Sequence, residues 1–162
     1  MEQISLFSED HVLANTADAD LIALRLNEAI TGYRTYTEFY GADADIIRKH
    51  KLAEFMRDGL SHIEFADRAC PDDLCELWDA FEYEARDQGL RKNGLLPDIR
   101  KSFFRQAANV LTRYHADNLP DVGKRFPAGY VFMQAGAWEQ AIHTLRARIT
   151  REPDNARFYG YL

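Results

Sequence analysis

Apolar side chains recur at spacings of three and four along most of the chain, the period of an α-helix with one buried face. Residues 1–17 lack such a period and carry Ser8, Asn15 and Thr16, so they read as an extended arm whose Ile4, Leu6 and Phe7 would lie on the domain. Asp18 or Asp20 suits the cap of a first helix, because a short carboxylate accepts orphan backbone N–H groups there. Leu21, Ile22, Leu26, Ala29, Ile30 and Tyr33 then form one stripe, with Gly32 as a point of interruption, and Tyr36, Phe39 and Tyr40 extend it to a C-cap at Gly41. A second helix is expected from Asp43 or Asp45, with Leu52, Phe55, Met56, Gly59, Leu60, Ile63 and Ala66 along one face. Pro71 fits the first turn of a third, where Asp72 and Asp73 complement the dipole and Leu74, Leu77, Trp78, Phe81 and Ala85 line the inner side. Residues 90–96 read as a loop. Ile99, Phe103, Ala107, Val110, Leu111 and Tyr114 place a fourth helix from Pro97 to His115. Further helices are expected over 127–135 and 138–150, separated by Gly136, with another starting at Asp154. Short connections make neighbouring helices antiparallel, so the predicted fold is all-α, built from helical hairpins.

Composition supports this reading. The 162 residues include 21 Ala and 16 Leu against 4 Val and 7 Thr, which favours helix over sheet. With 46% hydrophobic and 28% charged residues the chain can bury a core, and no apolar run has the length of a membrane span. The start lacks the basic and apolar regions of a secretory signal, so a cytoplasmic location is expected. Cys70 and Cys75 alone imply neither a disulfide framework nor a metal site. The net charge of −6 is unevenly spread: residues 1–90 carry 20 acids and 8 bases, residues 91–162 carry 6 acids and 12 bases. Intramolecular pairing and solvated faces are the plain account of that asymmetry.

The segment Gly129-Tyr130-Val131-Phe132-Met133-Gln134-Ala135-Gly136-Ala137-Trp138-Glu139-Gln140-Ala141-Ile142 resembles a tetratricopeptide repeat. That family uses a 34-residue period of two antiparallel helices, with small residues where the helices touch. In this resemblance Gly129 and Ala141 are the small contacts, Phe132 fills the interior, and Leu145 and Pro153 complete the unit. Asp154-Asn155-Ala156 opens a further unit, with Tyr159 and Leu162 at its large positions. Ala107 and Leu111, 34 residues before Ala141 and Leu145, hint at a preceding one. Arg125, Ala128 and Arg148 depart from the family pattern, and Pro127 would shorten the first helix. The resemblance covers roughly 122–162 and implies a right-handed superhelical stack. The domains expected are therefore the arm 1–17, an N-terminal bundle 18–96 and repeat hairpins 97–162 that continue past the chain end, as in an N-terminal fragment of a larger protein, because Leu162 falls on an apolar helix face.

First helices of such repeats line a groove for extended or helical peptides. The resemblance places Phe126, Tyr130, Met133, Gln134 and Arg157 on that surface, although the same side chains would equally suit packing against the preceding helix. Phe126 and Tyr130 occupy two positions that a carboxylate clamp would need, so that specificity is not implied. Lys101 and Arg105, four apart on the fourth helix, could contact acidic segments, while the lack of interleaved aromatics disfavours nucleic acid. The function expected is a non-enzymatic interaction module, a scaffold or adaptor without cofactor, binding a protein or peptide segment, acidic ones included, or the remainder of its own longer chain. The rival is a helical-bundle enzyme or small-ligand binder with a pocket near Tyr36, Tyr40, His62 and Trp78. His50 near Glu54, and His62 near Glu64 and Asp67, read as surface pairs.

Overall fold

The computed structural model describes residues 8–88 and 94–162, and every regular element among them is helical. The helices are α1 (Glu9–Ile22), α2 (Leu26–Tyr40), α3 (Ala44–Ser61), α4 (Cys70–Asp87), α5 (Leu95–His115), α6 (Ala128–Gln134), α7 (Trp138–Arg151) and α8 (Ala156–Tyr159), with a 3-10 turn at Leu119–Asp121. No helix among them is long and apolar enough to cross a membrane. The chain divides into two compact units. One draws on Met1–Gly59 and Phe81–Ile99, the other on Leu60–Ala80 and Arg100–Leu162. The ranges interleave along the chain.

In the first unit, residues 9–17 are helical and not an extended arm; Ile4, Leu6 and Phe7 lie outside the described residues. Ser8 holds the extended backbone of an N-cap, and Glu9 and Asp10 complement the dipole. The helix escapes notice in the sequence because it buries only Ala17 and Leu21, one of them too small to mark a stripe. The stripe from Leu21 to Tyr33 is also not continuous. Leu24 sits at φ 57, a left-handed conformation that costs a non-glycine residue about 1 kcal/mol, and it folds α2 back along α1. Gly32, rather than interrupting α2, is its point of closest approach: a Cβ there would lie 2.8 Å from that of Ala17.

Asp18 is mid-helix and caps nothing. Its carboxylate accepts the Tyr33 hydroxyl at 2.7 Å and the Lys49 ammonium at 2.8 Å, and Asp45 meets the same ammonium at 2.9 Å. Lys49 is almost fully buried, and the two carboxylates more than offset its desolvation, raising its pKa. Asp43 caps α3 as expected, accepting from the backbone of Asp45 and Ile46. The α3 face is shorter than its apolar pattern, since Ile63 and Ala66 follow the helix end and Phe55 stays partly exposed beside Phe81.

In the second unit, Trp78 packs against Phe103 and Phe104 at 5.3 and 5.7 Å between ring centroids. α6 and α7 form the tightest hairpin. Gly136 at φ 76 makes the turn, and Gly129 lies so close to α7 that a Cβ would stand 2.5 Å from Cγ of Leu145. Phe132, Ala141 and Leu145 are buried. Arg148 is buried at a normally small position because its guanidinium finds partners: the Pro120 carbonyl at 2.7 Å, Glu152 at 2.9 Å and the Phe158 ring at 5.0 Å.

Gly129→Ala is expected to lower stability by about 1–2 kcal/mol through overpacking against Leu145, read as a drop of several degrees in a thermal melt followed by circular dichroism. Burial raises the pKa of Tyr33, Cys70 (to about 12) and Cys75. All three stay protonated in the fold after the unfolded chain has begun to ionise, so their contribution is complete at neutral pH and is lost as pH rises above about 9 to 10. Urea midpoints should therefore be level from pH 7 to 8.5 and fall beyond, less steeply for Tyr33→Phe.

Candidate functional site

The residues singled out near the C-terminus gather around a loop held by one carboxylate. Asp72, in the first turn of α4, accepts the backbone N–H groups of Lys124, Arg125 and Phe126 at 2.7, 2.8 and 2.6 Å. Gly123 opens the loop at φ 80, with no room for a Cβ beneath the Phe126 carbonyl, and its N–H donates to the Arg68 carbonyl at 2.7 Å. Pro127 then starts α6, which has seven residues, as its position at the helix start foretold.

This arrangement presents a row of half-buried rings. Phe126, in the loop, and Tyr130, on α6, have ring centroids 5.2 Å apart, and Tyr130 lies 5.2 Å from Tyr161. The Arg125 guanidinium covers Phe126 at 5.1 Å and meets Glu76 of α4 at 3.4 Å. Burial raises the pKa of the Tyr130 hydroxyl; Cys75, Asp79 and Tyr161 add to the effect and Arg100 opposes it, which places the ring among α4, α5 and the C-terminal residues.

Phe126 and Tyr130 are thus brought together. Arg157 is tied to their loop by a 3.4 Å hydrogen bond from its guanidinium to the Arg125 carbonyl. Met133, one turn beyond Tyr130, is half-buried. Gln134 is held by Arg100, which donates to its amide oxygen at 2.7 Å and also lies over Phe104 at 5.7 Å. Lys101 and Arg105 are exposed on α5. The large C-terminal positions shift by one residue from the expected register: Phe158 and Tyr161 turn inward, whereas Tyr159 and Leu162 are exposed. The spacing of three between Phe158 and Tyr161 was the available signal. Asp72, Glu76, Arg100 and Arg125 carried none, because their partners are distant in sequence.

The residues of the rival pocket are dispersed among different tasks. Tyr36 and Tyr40 stack on α2 at 5.4 Å, Trp78 is committed to the aromatic core, and His62 is exposed beside Ser61. His50 faces Glu54 at 3.6 Å. Cys70 and Cys75 are free, buried thiols. Among the described residues, no group of three or more His, Cys, Asp or Glu could hold a metal ion. No protein-family model, curated protein or solved structure matches the chain.

Asp72→Ala is expected to lower stability by about 2 kcal/mol, the scale for hydrogen bonds to a charged acceptor, and to speed amide exchange at residues 124–126. Asp72→Asn should lose less, since its remaining oxygen can still accept from Arg125 and Phe126.

Proposed function

We propose that the C-terminal helices form a tetratricopeptide-like interaction module that binds an extended protein segment without catalysing a reaction on it. The observation that carries this reading is the row Phe126, Tyr130 and Tyr161, three rings left half-exposed side by side. Large rigid rings of this kind supply contact area at little entropic cost, which is what a peptide groove needs. Met133 adds a side chain able to adapt to different partners.

The repeat assignment is supported by the close approach of Gly129 to Leu145 and by burial of Phe132 and Ala141. Ala107 and Leu111, 34 residues upstream of Ala141 and Leu145, are buried as well, as a preceding unit of the same kind would require. In this reading α5 supplies the second helix of that unit, α6 and α7 form the next, and α8 opens a third. Lys101 and Arg105, on the exposed side of α5, would steer acidic surfaces of a partner toward the module without entering the groove.

Replacing Phe126, Tyr130 and Met133 together with Ala is expected to abolish partner capture in a pull-down while leaving helical circular dichroism unchanged. Capture that persists would remove the groove from this assignment.

A further inference from the structure

The ring row does not stand in neutral surroundings. Along it, α4 presents Glu76, which meets Arg125 at 3.4 Å, and Asp79, whose charge acts on the Tyr130 hydroxyl, while Asp72 is consumed by the loop it clamps. Aromatic faces carry the same sign, since the ring quadrupole is negative above and below its plane. Both features attract a cation.

The free protein already holds one there. Arg125 lies over Phe126 at 5.1 Å with Glu76 at 3.4 Å, yet its side chain is 60% exposed and that of Glu76 58%. An ion pair this open contributes little, so its displacement is easy. Two further guanidinium groups beside the row have partners of their own: Arg100 with Gln134 and Phe104, Arg157 with the Arg125 carbonyl.

We infer that the groove selects a cationic side chain, an arginine or lysine of the bound segment, which takes the place Arg125 holds over Phe126 and against Glu76. The inference rests on the groove reading above and adds to it the chemistry of the occupant. An acidic segment would meet Glu76 and Asp79 and be repelled, so any preference for acidic partners belongs to the separate Lys101 and Arg105 face. Arg125 is then an internal competitor whose removal strengthens binding.

The test uses random octapeptides displayed on phage and selected on the full chain. The enriched consensus is then synthesised, labelled and titrated by fluorescence anisotropy. The expected consensus has an Arg or Lys beside apolar residues, and changing that residue to Gln weakens binding about tenfold. Glu76→Gln should weaken it too, whereas Arg125→Ala should tighten it about threefold, an increase that mere structural damage would not produce. All variants are checked for unchanged circular dichroism. A consensus without a basic residue that is still lost in the triple Ala variant of Phe126, Tyr130 and Met133 overturns the cation rule and leaves the groove standing. Arg125→Ala without tightening overturns the displacement. Peptides that bind the triple variant equally well, or no enrichment at all, overturn both the rule and the groove.

Discussion

The carboxylate of Asp72 is the constraint on which the C-terminal architecture depends. Helix α6 has seven residues, well below the length at which an isolated helix is stable in water. Pro127 at its N-cap offers no side-chain hydrogen bond, so nothing local fixes the entry of the chain. Asp72 does so from another helix, gathering three consecutive N–H groups that the tight turn would otherwise leave competing for water. The placement of Phe126, and through it Tyr130 and Tyr161, follows from that loop.

The all-helical class and, to within a residue or two, the bounds of α4, α6 and α7 were legible because each buries a face, whereas α5 starts at Leu95, inside the segment expected to be a loop. Failure came where burial was thin or conformation unusual. α1 buries one Ala and one Leu, which no period can report. The turn at Leu24 uses a backbone state usually marked by Gly or Asn, and a leucine there gives no warning. Gly32 misled in the opposite direction: it looked like a breaker and serves as a contact, a use that depends on Ala17 fifteen residues away.

The site divides along the same line. Phe126 and Tyr130 were readable as aromatic residues at the start of a short helix, although Phe126 precedes that helix and meets Tyr130 from the loop. The groups that position them were not, since Asp72 lies 54 residues before Phe126 and Arg100 lies 34 before Gln134. Arg148 shows how local rules yield to tertiary chemistry. A guanidinium here would not be expected from the local pattern, yet a carbonyl and a carboxylate take its two terminal nitrogens and a ring covers it, leaving its buried Nε without a partner.

The cluster of Asp18, Tyr33, Asp45 and Lys49 shows how three helices can share one charge. Asp18 of α1 takes the Tyr33 hydroxyl from α2 and the Lys49 ammonium from α3, so a single carboxylate touches both neighbours of its helix. The ammonium in turn is divided between Asp18 and Asp45. Without that one side chain two carboxylates would face a part-buried seam with no counter-charge, so the join of α1 to α3 rests on Lys49.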